Sequence, residues 1–358
     1  MIGIVGGKGE IGLECVNLLN DYEREPIKIG IRNSNAIVDE KNKLYEFIDI
    51  KNRKSCFEFA KDCDCIINCT NVRGSDIYNL IDAAGKYKAK FVDVNYHNSQ
   101  EKIEIYNTTI YHGVGASPGL TEVLPKIIAN KFEQITELKL YYTTVGRFTF
   151  SAAKEYLRYI ESGEVYSATV LKNGDIIPCA NDRPVISLPI GNEKWNTLPY
   201  IDERTVAMCK QLNLENAGFY MCIQDGYTYE FLKNIWLKYK DDKDKTAQEL
   251  VKASEIDCLH QETYSGFVLE AEGIIDQCKC NMNLIMKSPS ASKLTALAVT
   301  ATALLSLDSK EEFCVLDMSA VPFVDLLLDK MSEVDPLFFH KIYKNKTLSS
   351  INTFEGEI

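Results

Sequence analysis

The sequence predicts an α/β protein: an N-terminal doubly wound parallel sheet, then a second α+β domain containing a mixed or antiparallel sheet. Three observations predict it. The chain opens on a short uncharged apolar run, Ile2, Ile4 and Val5, which suits a buried central strand. Short apolar strands then alternate with helical periodicities as far as residue 120. Beyond that point the strands lengthen, become β-branched and tyrosine-rich, and pair across turn residues.

Gly6-Gly7-Lys8-Gly9-Glu10-Ile11-Gly12 follows the first strand, and Ile11, Cys15, Leu18 and Leu19 then recur at helical spacing. The glycines lie between a strand and a helix and satisfy two frames, G-x-G-x-x-G from Gly7 and G-x-x-G-x-x-G from Gly6. In that context they predict a Rossmann dinucleotide site: a tight turn, close backbone approach and a helix N-terminus aimed at a pyrophosphate. The competing reading is a glycine-rich turn that binds nothing.

A second strand over 27–31 runs into Arg32, Asn33 and Ser34. An acidic residue at this strand end would bond the ribose 2′-hydroxyl and select NAD. A guanidinium here can instead fork onto a 2′-phosphate, so the sequence predicts NADP(H). Asp39 and Glu40 come too late to act as the missing acid; the bland alternative makes Arg32 a solvated loop charge. A third strand over 44–50 and a helix over 55–61 lead to a fourth strand, 64–70, whose carboxyl end brings Asn68, Cys69 and Thr70 to the dinucleotide cleft. A helix over 77–87 precedes a fifth strand, 90–94, ending in Asn95, Tyr96 and His97. A sixth strand is expected over 108–114, then the breaker cluster 115–119, then a helix over 121–131 with Thr121 as its N-cap.

The second domain begins with a strand over 138–145, ending in Gly146 and Arg147, and a helix over 151–162. Segments 166–171 and 175–178 are expected to pair across Asn173-Gly174. Residues 180–201 are rich in proline and turn formers. Helices are expected over 230–237 and 248–254, linked by the charged run 238–245, and a second hairpin pairs 265–275 with 278–286. An apolar helix over 293–307 and another over 322–331, with Pro322 in its first turn, complete the ordered chain. The expected division is 1–120 plus about 290–331 as the dinucleotide-binding domain, 121–289 as a substrate and dimerisation domain, and 345–358 as a loosely held polar tail.

A net charge of −11 argues against nucleic acid and against an anionic membrane surface. The longest apolar stretch, 294–307, is too short to span a bilayer, and a fold that starts at residue 2 leaves no room for a signal peptide, so a cytoplasmic location is expected. The twelve cysteines form no C-x-x-C; with no His at ligand spacing beside Cys63/Cys65 or Cys278/Cys280, they read as reduced, small hydrophobes rather than a metal site.

Several segments resemble one family. IGIVGGKGEIG, IKIGIRN, CDCIINCT, AKFVDVNYH and GVGASPGL resemble the NADP-binding domain of saccharopine dehydrogenase-like reductases. SKLTALAVTATALLSL followed by VPFVDLLLDKM is similar to that family's C-terminal part, where a helix returns to the first domain. The family includes saccharopine reductase, lysine 6-dehydrogenase, carboxynorspermidine dehydrogenase and homospermidine synthase-like enzymes, with relatives beside nonribosomal peptide synthetases. The resemblance implies hydride exchange between NADP(H) and an imine or amine carbon. Several members carry Asp-Pro-Gly where this chain has Ser117-Pro118-Gly119.

An imine accepts hydride better when protonated, so a nearby acid or carboxylate would help. Asp93, Tyr96 and His97 lie at or just past the end of the fifth strand and are the catalytic candidates, with Asp93 suited to bracing the loop and His97 to proton exchange near neutrality. Ser117 is expected beside the cofactor, with Pro118 and Gly119 shaping the substrate wall. Arg147 is the candidate clamp for a substrate carboxylate, with Arg183 and Arg204 as weaker alternatives. His112 reads as structural, His260 and His340 have no supporting context, and Cys69 has no identifiable base beside it to make it a nucleophile. The leading expectation is an NADPH-dependent reductase of a small-molecule or carrier-bound imine, acting as a homodimer. The alternatives are an oxidative amino-acid or opine/polyamine dehydrogenase of the same family, a non-catalytic NADP-sensing module, and an interaction protein without cofactor.

Overall fold

The computed structural model describes residues 1–22, 26–33, 42–97, 107–161, 163, 165–179, 185–191, 194–235, 242–311 and 313–351. Two compact units emerge: Met1–Val123 with Ser292–Phe338, and Leu124–Ala291 with the chain from Phe339 onward.

In the first unit, β1 (Ile2–Val5) leads through the glycine turn into α1 (Glu10–Tyr22), followed by β2 (Ile27–Ile31), β3 (Lys43–Phe47), α2 (Arg53–Ala60), β4 (Cys65–Asn68), α3 (Ser75–Tyr87), β5 (Lys90–Asp93) and β6 (Ile110–His112). Asn52 caps α2, its side chain accepting from the amides of Lys54 and Ser55. Among the described residues seven strands form one parallel sheet in the order Val315–Asp317, β6, β5, β4, β1, β2, β3. The order reverses beside β1, which makes the crevice between the ends of β1 and β4 the topological switch point. All four residues of β1 and of β4 are buried, as central strands covered on both faces require. Lys28, inside β2, is also buried; its ammonium donates to the carbonyls of Phe59 and Lys61. The helix Ala291–Asp308 is apolar on all sides and mostly buried, and Cys15 of α1 donates its thiol to the Ala296 carbonyl. No helix among the described residues is long and apolar enough to cross a membrane.

The second unit is built on α4 (Thr121–Ala129, which starts in the first), β7 (Gln134–Val145), α5 (Phe150–Glu161), β8 (Val165–Ser167), β9 (Thr169–Lys172), β10 (Asp175–Pro178), β11 (Val185–Ser187), β12 (Lys194–Asp202), α6 (Glu203–Gln211), β13 (Ala217–Ile223), α7 (Tyr227–Lys233), α8 (Lys243–Asp257), β14 (Tyr264–Ile275) and β15 (Cys278–Ser288). With Phe339–Lys344, these strands make a ten-stranded mixed sheet among the described residues. β7 and β13 run parallel, while β14 pairs antiparallel with both β7 and β15.

Several sequence expectations are corrected. Thr121 has helical dihedrals and lies inside α4; it is not an N-cap. Segment 166–171 is broken at Ala168, whose φ of 56° ends one strand and starts another, so only β9 pairs with β10. The turn-rich stretch before residue 202 contains β12, which carries Pro199 within its span. Pro322 precedes the helix Leu327–Val334 by a 3₁₀ turn, Val324–Leu326, instead of starting it. The strands Val315–Asp317 and Phe339–Lys344 carry no alternating apolar pattern strong enough to be read. Part of the expected loose tail is fixed: Asn345 donates its amide to Asn281, and Ile351 is buried in the second unit's core.

Candidate functional site

The cleft starts from the glycine turn. Gly6 has φ +82°, which favours glycine, and a Cβ on Gly12 would stand 2.2 Å from the Gly6 carbonyl oxygen. No side chain larger than hydrogen lets α1 approach the end of β1 this closely. The first-turn amides of α1 have no intrahelical acceptor by construction, so an anion at this turn meets donors and the positive end of the helix. Lys8, Gly9 and Glu10 are exposed, Ile11 and Gly6 half-buried, Gly7 and Gly12 buried. The Lys8 ammonium lies 5.4 Å from the Tyr45 ring centroid, over β3. Arg32 and Asn33, immediately after β2, are both exposed on this carboxyl edge of the sheet; Ser34 and Arg183 lie outside the described residues.

The ends of β4 and β5 are joined by a dense polar network. Asn68 is fully buried; its side-chain amide donates to Asp93 Oδ1 at 3.0 Å, while its Oδ1 accepts the Thr70 amide and hydroxyl at 3.1 and 2.7 Å. Asp93 Oδ1 also receives the Asn95 backbone and side-chain amides, each at 2.8 Å. The Asn95 side chain in turn reaches the Thr70 carbonyl at 2.7 Å. Asp93 Oδ2 lies 2.9 Å from His97 Nε2, and the His97 side chain is only 2% exposed. The network therefore commits both Asp93 oxygens and encloses His97, so the pair fixes the 93–97 loop instead of presenting a free acid. Tyr96 is half-buried and is the most open of the three catalytic candidates. Its ring packs 5.2 Å from that of His112, and its carbonyl accepts from Arg73 Nη1 at 2.9 Å. His112 Nδ1 accepts the His97 amide at 3.2 Å, which puts the proton of a neutral His112 ring on Nε2.

Cys69 and Thr70 are half-buried and pack against the glycine turn, close to where a Gly6 side chain would be. The Cys15 thiol, 4.0 Å from Cys69 Sγ, together with burial pushes the Cys69 thiol well above its ordinary range, which disfavours the thiolate that a nucleophile needs. The 113–119 segment closes the edge. Ser117 is exposed, Pro118 half-buried and Gly119 buried, and the Gly119 amide donates to Glu122 Oε2 at 2.6 Å. The Thr121 hydroxyl reaches the same oxygen at 2.9 Å.

One edge of the first unit's sheet thus gathers Gly6–Gly12, Arg32, Asn68–Thr70, Asp93–His97 and Ser117–Gly119. Sequence reasoning missed Asn95, Arg73 and Glu122. Asn95 stands two residues past the end of β5 and could have been read as a strand-end ligand; nothing local marks Arg73 or Glu122, whose partners are set by the turns they brace. Arg147 lies in the second unit and is exposed. Arg204 is not a free clamp. Its Nη2 bonds Asp202 Oδ2 and the Tyr159 hydroxyl, each at 2.6 Å, in a largely buried cluster.

The glycine cradle and the strand order define a two-unit protein whose first unit has the Rossmann dinucleotide-binding form. That two-unit fold is shared with saccharopine dehydrogenase (L-Glu forming) from Saccharomyces cerevisiae, at 11% identity over 96% of this chain and 99% of that one, with a TM-score of 0.69. DAP dehydrogenase from C. glutamicum, solved in complex with DAP, matches at 15% identity over 93% and 98% of the two chains, with a TM-score of 0.50. No protein-family model and no curated protein sequence matches the chain.

Proposed function

We propose that the chain is an NADP(H)-dependent oxidoreductase of the saccharopine dehydrogenase type, which reduces a C=N bond in an amino-acid-derived substrate, free or carrier-bound. The observation that carries the reading is the cradle at Gly6 and Gly12, where a Cβ would occupy the space of the turn itself. A pyrophosphate fits it through backbone amides and the α1 N-terminus. Arg32 supports the phosphorylated cofactor, because a guanidinium on that edge pairs with a 2′-phosphate and no carboxylate stands beside it at Asn33. The two solved proteins reported above are named as dehydrogenases, which supports the reaction class.

When bound, NADPH supplies a hydride. The chain's own residues hold and orient. The glycine turn takes the diphosphate, Arg32 the 2′-phosphate, and Asn68–Thr70 wall the crevice. Tyr96 holds the proton for the substrate nitrogen, with its backbone anchored by Arg73 and its ring backed by His112. Asp93 and His97 keep that loop in one conformation.

Calorimetric titration with NADPH and NADH side by side tests the cofactor reading. NADPH is expected to bind more tightly, and Arg32→Asp to remove the preference. Equal or stronger NADH binding overturns the NADP assignment, and no binding of either overturns the oxidoreductase. A screen of imines, read as loss of NADPH absorbance at neutral pH, then tests the direction; turnover only of amines with NADP⁺ would overturn the reductive reading.

A further inference from the structure

The glycine turn carries a side chain that its approach to a diphosphate does not use. Lys8, exposed, stands between Gly7 and Gly9, where the backbone amides make that approach. The turn lies over β2: a Cβ on Gly7 would come within 2.6 Å of Ile29 Cγ2 and 3.6 Å of Val16 on α1. Ile29 pairs with Tyr45 of β3, and the Lys8 ammonium sits 5.4 Å from the centre of the Tyr45 ring. The side chain therefore runs from the turn across β2 to β3, along the face of the sheet that α1 covers.

The two strands leave that face without a carboxylate. Glu46, the one acidic residue of β2 and β3, alternates with Tyr45 onto the opposite face, where it lies 3.4 Å from the Lys28 ammonium. Lys28 alternates with Ile29 in the same way and donates to the carbonyls of Phe59 and Lys61, so its charge is committed on the far side. Lys8 and Arg32 are thus the exposed cations that the glycine turn and the end of β2 present. A phosphate monoester is close to doubly charged at pH 7, because its second pKa is about 6. One guanidinium balances one of those charges, and a cation from a second element balances the other. The cation–π contact with Tyr45 holds the ammonium on this side in advance, so less side-chain freedom is lost when an anion arrives.

We propose that Lys8, held by the Tyr45 ring, is the second cation on the 2′-phosphate of NADP(H): a selectivity residue supplied by the glycine turn that acts together with Arg32. The proposal rests on the NADP(H) reading above. NAD(H) has a hydroxyl in place of the phosphate and offers Lys8 no charge to pair. A Lys8 that served the diphosphate would support both cofactors alike, and that difference is measurable.

The test is calorimetric titration of the full chain with NADPH, NADH and adenosine 2′,5′-bisphosphate, in about 0.15 M salt, where charges more than about 8 Å apart are largely screened. Lys8→Met is expected to weaken NADPH and the bisphosphate about tenfold or more and to leave NADH unchanged, as loss of a charge-assisted hydrogen bond does. Lys8→Arg keeps the charge and the ring contact and is expected to keep the preference. Tyr45→Leu is expected to weaken NADPH about two- to fivefold without moving NADH, and Tyr45→Phe, which keeps the ring, to change neither. NADPH affinity unmoved by Tyr45→Leu overturns the part given to the ring. Equal weakening of NADPH and NADH in Lys8→Met assigns Lys8 to the diphosphate and overturns the proposal, as does unchanged binding of all three ligands. A preference for NADPH that Arg32→Asp removes and Lys8→Met does not leaves the cofactor reading standing and this proposal fallen. A parent chain that binds NADH as tightly as NADPH or more so, or that binds neither, overturns both.

Discussion

Arg32 and Tyr96 carry the residue-scale predictions. A charge-assisted hydrogen bond contributes about 1.5–3 kcal/mol, so Arg32→Asp should weaken NADPH about tenfold to more than a hundredfold and leave NADH nearly unchanged. The Kd ratio from the paired titration measures this directly. Tyr96→Phe removes a hydroxyl and little else. With a proton-donating role it should lower kcat about a hundredfold or more without moving the NADPH Kd, as loss of general acid catalysis does; an unchanged kcat would assign the proton elsewhere. Asp93 and His97, on the expected strand end, are buried and paired with each other. The neighbouring Tyr96 keeps an open face, and the difference is one of packing rather than of residue type.

At the scale of the element, the turn between β1 and α1 is the most constrained local structure. A methyl group at Gly12 meets the Gly6 carbonyl at 2.2 Å, so α1 must shift away from β1 to accept it. Overpacking of this kind costs about 1–3 kcal/mol, and the shift opens the anion cradle. Gly12→Ala should therefore lower the urea midpoint and lose NADPH binding together. A variant that keeps wild-type cofactor affinity would show that the close approach is not what shapes the site. The 113–119 segment is held differently, by the Glu122 carboxylate on the Gly119 amide and the Thr121 hydroxyl. Its sequence reads as a breaker cluster followed by a helix, and the start of that helix is in fact part of the brace.

For the whole molecule, stability should be limited by pH on both sides. Burial raises the Asp202 carboxyl, but Arg204, the Tyr159 hydroxyl and the Thr205 amide outweigh it and hold the group below its ordinary range. A carboxyl lowered on folding adds stability above its unfolded value of about 4, and that stability is lost as the pH falls through the folded value. Burial raises the Cys63 thiol to about 11 and those of Cys56, Cys65 and Cys209 to about 12, from an ordinary 9.0. Thiols raised on folding add stability below about 9, and it is lost as the pH climbs through the folded values. Thermal melts from about pH 3 to 11 should show a plateau between about pH 5 and 9 with a falling limb on each side. Asp202→Asn should flatten the acid limb. An unchanged acid limb in that variant would move the effect to other carboxyls.

The first unit's fold was legible in the sequence because its signals are local: β1 and the Cys65–Ile67 part of β4 are continuous apolar runs, and a glycine turn between strand and helix has few other uses. The placement of Arg32 and Asn68–Thr70 on the carboxyl edge of that sheet was legible for the same reason, since a strand end in a doubly wound sheet fixes where the next residue goes. What only the tertiary structure decided depends on partners far apart in the chain. It enclosed His97 while leaving Tyr96 open, tied Arg204 to Asp202 and Tyr159, and put Glu122 under the turn it braces. It made edge strands of Val315–Asp317 and Phe339–Lys344. Side-chain periodicity records which face of an element is apolar; what that face meets is set by packing across the sheet, and no local spacing encodes it.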